Sequence, residues 1–334
     1  MNITLFSSKS YDQEFFDKVN VEGGFNYNIS YVEQRLDINT VNLLAEGQQD
    51  VVCIFVNDDA SRPVLEALSA KGVKIVALRC AGFNNVDLEA AKELGFQVVR
   101  VPAYSPESVA EHAAALLFTL NRNTHKAYDR TRNANFNLEN LTGICLYGKT
   151  AGVIGTGKIG LAMIRILRGL GMKVVCYDPF VNQAAIDAGA EYVELDALYQ
   201  ASDVISVHCP LFKENTHFLN KEAFAKMKDG VILVNSSRGG LLHTEDALDA
   251  LASGKLRGLG LDVYEKESAL FFKDLSNEVI SDDLFTRLIM NPRVLLTGHQ
   301  AFLTEEALTS ISNTTLSNIK EVVETGKATN TVLN

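Results

Sequence analysis

At 334 residues the chain is longer than one hydrophobic core comfortably serves, and it suits two domains. Hydrophobic residues make up 47% and charged residues 22%, ordinary globular usage that argues against disorder. A formal net charge of −10 repels phosphate backbones and anionic bilayers, which argues against a nucleic-acid or membrane partner; it leaves room for a small anionic substrate held by a few focused cations.

The N-terminal MNITLFSSKSYDQEFF has no apolar stretch of signal-peptide length, and no run approaches the ~18 apolar residues of a membrane span. Short β-rich runs then alternate with helical patterns. NITLF (2–6) precedes a helix from Ser10 to Val19, and VVCIF (51–55) precedes one from Pro63 to Ala70. KIVALR (74–79), a helix from Leu88 to Leu94 and QVVRVP (97–102) continue the rhythm, which predicts a parallel sheet wrapped by helices. PESVAEHAAALLFTL (106–120) opens with Pro and Glu and reads as a long helix, apolar all round, that packs between domains or subunits. The polar stretch 122–143 that follows carries basic residues but also Asp129 and Glu139; it reads as a solvated connection rather than an anion site.

The rhythm restarts with TAGVIG (150–155), KVVCYD (173–178), DVISVHC (203–209), VILVNSS (231–237), LRGLGLDV (256–263) and RVLLTGH (293–299). A last helix runs from Thr304 to about Glu324. The expected fold class is α/β, with two Rossmann-like domains, each a parallel sheet flanked by helices, and the active site in the cleft between them. Residues 1–101 plus 301–334 form a discontinuous substrate domain, because the last helix packs back on the first sheet; residues 102–300 form the dinucleotide domain. The cysteines, Cys53, Cys80, Cys145, Cys176 and Cys209, show neither a C-x-x-C pair nor metal-ligand spacing. They read as reduced thiols of a cytoplasmic protein without a metal centre.

Residues 153–160, VIGTGKIG, place Gly155, Gly157 and Gly160 in a G-x-G-x-x-G pattern. Alone that pattern is weak, but here a strand runs into it and a helix leaves it, as dinucleotide binding requires. Gly155 permits the tight turn, Gly157 admits the pyrophosphate and Gly160 allows close helix–strand packing. The helix N-terminus points N–H groups and its positive dipole end at the phosphates. The next strand ends in Asp178, roughly 20 residues on, where a carboxylate accepts from ribose hydroxyls and repels a 2′-phosphate; NAD is expected over NADP. Cys209 ends the third strand of this half and reads as a lining of the cofactor cleft, with a nucleophilic role as the alternative.

Reduction of a 2-oxo acid needs a carboxylate clamp, a proton donor and exclusion of water. A guanidinium fork matches a carboxylate bidentately, and a His backed by a carboxylate is the natural acid. Arg238 (VILVNSSRGG), His299 (RVLLTGHQAF) and Asp262 with Glu265 and Glu267 (GLGLDVYEKE) all fall at strand ends, where ligands gather in open α/β sheets. His208 is second choice for the acid on position; His112 and His125 lie on or just after the Ala-rich helix, and His217 and His243 in segments that look exposed.

Glycines 155, 157 and 160 with Asp178, then NSSRG, DVYEKE and TGHQAF in that order, resemble the D-2-hydroxyacid dehydrogenase family over essentially the whole chain, RCAGFNNVDLEAAKELG (79–95) included. DVYEKESALFFKDLSNEVISDDLF and GHQAFLTEEALTSI are similar to its fermentative D-lactate dehydrogenase branch. The resemblance implies NADH-dependent, reversible reduction of pyruvate to D-lactate by a homodimer or homotetramer. Arg238 would clamp the carboxylate, His299 would donate the proton and Glu267 would tune it, Glu267 standing five residues after Asp262 as the family's Glu does. It further implies that Lys158, Ile159, Pro210, Asn215, Ser236, Ser237 and Asp262 contact NAD, and that Ala81, Gly82, Tyr104 and Phe302 line the substrate pocket. The D-configuration of the product rests on the resemblance alone. Two alternatives stand beside this reading: the same chemistry on a bulkier 2-oxo acid, and an NADH-sensing binding protein on the same scaffold.

Overall fold

The structure, a computed structural model, describes residues 1–44 and 50–333. The chain divides into two compact units, Met1–Ser105 with Leu303–Asn334, and Pro106–Phe302.

In the first unit, strands β1 (Asn2–Leu5), β2 (Asn28–Tyr31), β3 (Val51–Ile54), β4 (Ile75–Leu78) and β5 (Gln97–Arg100) pair in parallel in the order β2-β1-β3-β4-β5. VVCI in β3 and IVAL in β4 are buried at every position, as central strands covered on both faces must be. Helices α1 (Ser10–Glu22), α2 (Arg62–Ala70) and α3 (Leu88–Glu93) make the crossovers that parallel pairing requires. Asp87 caps α3 by accepting the Ala90 N–H.

The second unit opens with α4 (Pro106–Arg122) and α5 (Thr124–Arg132). The polar segment read as a connection thus contains a helix; α5 has no buried residue, so no apolar periodicity marks it in the sequence. The pattern then alternates through β6 (Thr150–Ile154), α6 (Lys158–Gly169), β7 (Lys173–Tyr177), α7 (Gln183–Asp187), β8 (Ala190–Tyr192), α8 (Leu195–Ala201) and β9 (Val204–Val207). It closes with α9 (Lys221–Lys226), β10 (Val231–Asn235), α10 (Thr244–Ala252), β11 (Leu256–Leu261), α11 (Asp283–Ile289) and β12 (Val294–Leu296). The seven strands are parallel in the order β12-β11-β10-β9-β6-β7-β8, so the winding reverses between β6 and β9. Along β10, Val231 and Leu233 enter one core while Ile232 and Val234 enter the other, which buries both faces. Helix α4 lies against α6, β10 and β11, with Phe118 left exposed. The chain then returns to the first unit as α12 (Glu305–Thr325), which is capped by Thr304, ends at Gly326 with φ +78°, and packs on α1, β4 and β5.

A buried polar knot ties the C-terminal ends of β1, β3 and β4 in the first unit. Arg79, 2% exposed, donates from Nη2 to the carbonyls of Phe6 and Ser7, lies 3.5 Å from Asp12 and stacks its guanidinium over Phe55. Asp58, also buried, accepts from Ser7 Oγ and from the N–H groups of Leu36 and Phe55. Burial raises the pKa of Asp12 and of Asp58, and Arg79 opposes the shift in both. Removing the guanidinium strands two buried carboxyls, so Arg79→Ala should lower unfolding stability by about 3–5 kcal/mol at neutral pH. A carboxyl whose folded pKa lies above its unfolded value holds its proton more tightly when folded, so its contribution is lost as pH rises. The deficit should therefore shrink towards pH 5; urea titrations at pH 5 and pH 8 measure it.

Candidate active site

Strand β6 feeds directly into the glycine turn at the point where the strand order reverses. Gly155 has φ +91°, and a Cβ there would lie 2.5 Å from the backbone nitrogen of Cys209, at the exit of β9. On Gly160 a Cβ would run into the carbonyl oxygen of Gly155, whereas nothing stands within 4 Å of the Cβ position of Gly157. Two glycines thus allow backbone to touch backbone, and the third opens outward at the N-cap of α6. Asp178, after β7, accepts the Thr156 N–H at 2.7 Å and the Phe180 N–H at 2.9 Å, so it also holds the turn.

Arg238 follows β10 in extended backbone. The fully buried Asn235 shapes its turn, donating to the Arg238 carbonyl and accepting the Ser237 N–H. A Cβ on Gly239 would collide with the backbone of Tyr264 and Glu265, so the Arg238 loop lies directly on the exit of β11. That exit carries Glu267. One carboxylate oxygen of Glu267 accepts the Tyr264 N–H at 3.0 Å, and the other lies 2.8 Å from His299 Nδ1. An ionised carboxylate only accepts, so Nδ1 carries hydrogen and Nε2 is left as the free ring nitrogen. The Phe272 ring stands 6.0 Å from the imidazole, centroid to centroid.

His299 itself has φ +57°, a left-handed conformation that costs a non-glycine residue on the order of 1 kcal/mol. Asp262, at the end of β11 and fully buried, holds it there. Its Oδ1 accepts from Thr297 Oγ1 and the Gln300 N–H, and its Oδ2 from the Ala301 N–H at 2.9 Å. His112, on α4, places Nε2 3.0 Å from Thr297 Oγ1 and 3.3 Å from Asp262 Oδ1. Asn235 and Thr297 lie inside the NSSRG and TGHQAF stretches, but the bonds they make, and the places of His112 and Phe272 beside the site, emerge only from the packing.

The remaining sequence candidates fall as follows. His208 is tied through Nε2 to Ser206 Oγ, and burial pushes its imidazole down to about 4, leaving it neutral at pH 7. Burial likewise pushes the Cys209 thiol up to about 11, so it is no thiolate. Asn215 donates to the Pro210 carbonyl and accepts the Phe212 N–H, building the loop after β9; Ser237 Oγ donates to the Cys209 carbonyl. Lys158 and Ile159 begin α6. His217, half-exposed, pairs with Glu265 at 3.0 Å, and His243 with Asp246 at 3.0 Å. Ala81 and Gly82 follow β4, and Tyr104 precedes α4, all in the first unit; Phe302 is buried at the end of the second. The described cysteines are all free, and no described group of three or more His, Cys, Asp or Glu side chains could hold a metal.

A family model described as the NAD binding domain of D-isomer specific 2-hydroxyacid dehydrogenase matches residues 114–301. The chain belongs to this family. It is 60% identical over 319 residues to a 2-hydroxyacid dehydrogenase homolog of Haemophilus influenzae, covering 96% of this chain and 95% of that one. It is 57% identical to the D-lactate dehydrogenase of Escherichia coli, covering 96% of this chain and 97% of that one. The solved apo-structure of D-lactate dehydrogenase from Escherichia coli superposes with a TM-score of 0.90 at 54% identity, covering 99% of this chain and 100% of that one.

NAD is the family's cofactor, and the residues here fit it. Gly157 leaves room at the α6 N-terminus, an acidic side chain ends β7, and the buried Ser236 hydroxyl at the end of β10 has no hydrogen-bond partner among the described residues. Because a Cβ on Gly160 would force the turn apart, Gly160→Ala should weaken NADH binding at least ~10-fold, the equivalent of about 1.4 kcal/mol. Quenching of NADH fluorescence on titration checks this.

Proposed function

We propose that this member of the D-isomer specific 2-hydroxyacid dehydrogenases is a D-lactate dehydrogenase, reducing pyruvate reversibly to D-lactate with NADH. The observation that carries the reading is the 2.8 Å contact between Glu267 and His299 Nδ1, with Arg238 on the neighbouring loop of the same sheet edge. When bound, NADH supplies the hydride that reduces C2. Arg238 clamps the substrate carboxylate through its guanidinium fork, and His299 Nε2 passes its proton to the oxygen on C2. Glu267 fixes the ring orientation and compensates the positive charge that the ring carries before that transfer. In the reverse direction His299 accepts the hydroxyl proton. The neutral, hydrogen-bonded His208 is a poor alternative acid.

Lys158, Ile159, Pro210, Asn215 and Ser236 are assigned to the cofactor, with Cys209 and Ser237 lining its approach. Ala81, Gly82, Tyr104 and Phe302 are assigned to the substrate. The reading gives residues 1–101 and 301–334 the substrate role and 102–300 the NAD role. Asp262 acts mainly through the His299 loop, since both of its oxygens are engaged there. A homodimer or homotetramer is the proposed assembly, supported by Tyr128, Phe136 (73% exposed), Leu138 (77%) and Tyr147 (78%) on one stretch of the second unit. A cytoplasmic location is proposed from the free cysteines. No described helix is long and apolar enough to cross a membrane.

The test is NADH oxidation against a panel of 2-oxo acids with chiral analysis of the product. Pyruvate should give D-lactate; a preference of ~10-fold or more in kcat/KM for phenylpyruvate, worth about 1.4 kcal/mol, would discard the assignment in favour of a bulkier acid. Tight NADH binding without turnover of any 2-oxo acid would point to a sensor. His299→Gln should lower kcat by ~10²–10⁴, while Arg238→Gln should raise KM for pyruvate and lower kcat together. In steady-state assays with each cofactor, Asp178→Ala should narrow the preference for NADH over NADPH; an unchanged ratio would mean that Asp178 serves only the Thr156 turn.

A further inference from the structure

The loop that follows β4 in the first unit is tied down through its carbonyls. Arg100, the last residue of β5, pairs in register with Leu78, the last residue of β4, so its side chain starts next to the point where the loop leaves the sheet. From there Arg100 Nη1 donates to the Ala81 carbonyl at 2.9 Å, and the guanidinium carbon stands 5.1 Å from the centroid of the Phe83 ring. The Cys80 carbonyl accepts the Val101 N–H at 3.2 Å, and the Gly82 carbonyl accepts from the Cys80 thiol at 3.2 Å. Three consecutive carbonyls are thus engaged, and the middle one depends on Arg100.

A trans peptide is planar, so each N–H points opposite to the carbonyl of the same peptide unit. Fixing the Cys80 and Ala81 carbonyls therefore fixes the directions of the Ala81 and Gly82 N–H groups, away from those anchors. Neither N–H donates to any described group. Half-buried backbone donors of this kind need an acceptor, and a carboxylate gives them the stronger, charge-assisted bond. Arg100 is in turn placed by the C-terminal segment. Its N–H donates to the Asn330 carbonyl, its carbonyl accepts from Asn318 Nδ2, and Asn330 Nδ2 donates to Asn318 Oδ1. Among the described residues Arg100 forms no ion pair, so its partly buried guanidinium is committed to the loop rather than to a carboxylate.

We propose that Arg100 is a positioning residue: by holding the Ala81 carbonyl it aims the Gly82 N–H, beside that of Ala81, at the carboxylate of the 2-oxo acid. The proposal rests on the dehydrogenase function, which assigns Ala81 and Gly82 to the substrate, and it gives Arg100 a role through the loop rather than at the reacting atoms. Donors that grip a carboxylate equally before and during hydride transfer contribute uniform binding, so their misplacement weakens substrate binding without slowing the chemistry. This separates Arg100 from Arg238, whose loss is expected to affect both.

The experiment compares Arg100→Met, which keeps an unbranched stem but no donor, with Arg100→Lys, which keeps a donor for the Ala81 carbonyl. Each variant of the full chain is assayed on the 2-oxo acid that the wild-type chain reduces best. Arg100→Met should raise KM for that acid at least ~10-fold, with kcat within ~3-fold of wild type and NADH affinity unchanged, and Arg100→Lys should recover most of the loss. Hydrogen exchange across residues 79–87, measured without substrate, should speed up in Arg100→Met and much less in Arg100→Lys, a change that a purely long-range charge effect would not produce. An unchanged KM in Arg100→Met, a loss that falls on kcat instead, or wild-type exchange across 79–87 would overturn the role of Arg100 and leave the dehydrogenase reading standing. A wild-type chain that reduces no 2-oxo acid would overturn that reading, and this proposal with it.

Discussion

A single buried carboxylate organises the proposed catalytic end of the second unit. Asp262 closes β11 with no exposure to solvent, and an unpaired carboxylate so placed would be costly. It is stable there because two backbone N–H groups and a threonine hydroxyl converge on it, with His112 beside them. Those donors belong to residues 297–301, the segment that carries His299. The carboxylate meets its own need for hydrogen bonds by drawing that loop into a conformation its central residue would not choose, with φ +57° at a histidine. Local strain is thereby offset by a buried polar network, and the imidazole stands where Glu267 reaches Nδ1.

The parallel sheet turns such local arrangements into a shared site. Every strand of the unit points the same way, so the exits of β6, β9, β10, β11 and β12 lie along one edge. That edge collects the glycine turn, Cys209, Arg238, Glu267 and His299 from segments far apart in the chain. The same geometry gathers the strand entrances along the opposite edge. Arg257 and Arg293 sit there because β11 and β12 begin where α10 and α11 have just ended, and α5 brings Lys126 to join them.

Much of this was legible in the residues. The strands that are buried on both faces announce themselves as continuous aliphatic runs, and the glycine spacing acquires meaning from the strand before it and the helix after it. Arg238 and His299 stand just past aliphatic runs, whereas Glu267 is set apart from Glu265 only by the family resemblance. What stayed hidden had no periodic or compositional signal. β2 (NISY) and the three-residue β8 are too short and too polar to stand out, and α5 buries no side chain. The bond of Asp262 to Gln300 and Ala301 joins positions 38 and 39 residues apart through backbone N–H groups, which no side-chain pattern encodes.

Glycine sets the distances that these side chains need. A guanidinium and a carboxylate-backed imidazole can serve one small substrate only if their parent loops lie within a side chain's reach. Gly239 lets the loop after β10 rest on the backbone of Tyr264 and Glu265, closer than any residue with a Cβ would permit. Gly155 does the same between the exits of β6 and β9, and Gly160 between α6 and the turn beneath it. In each case the residue contributes by what it lacks. The chemistry assigned to Arg238 and His299 depends on two strand exits being held at backbone contact, and that contact is specified in the sequence by the glycine that follows the arginine.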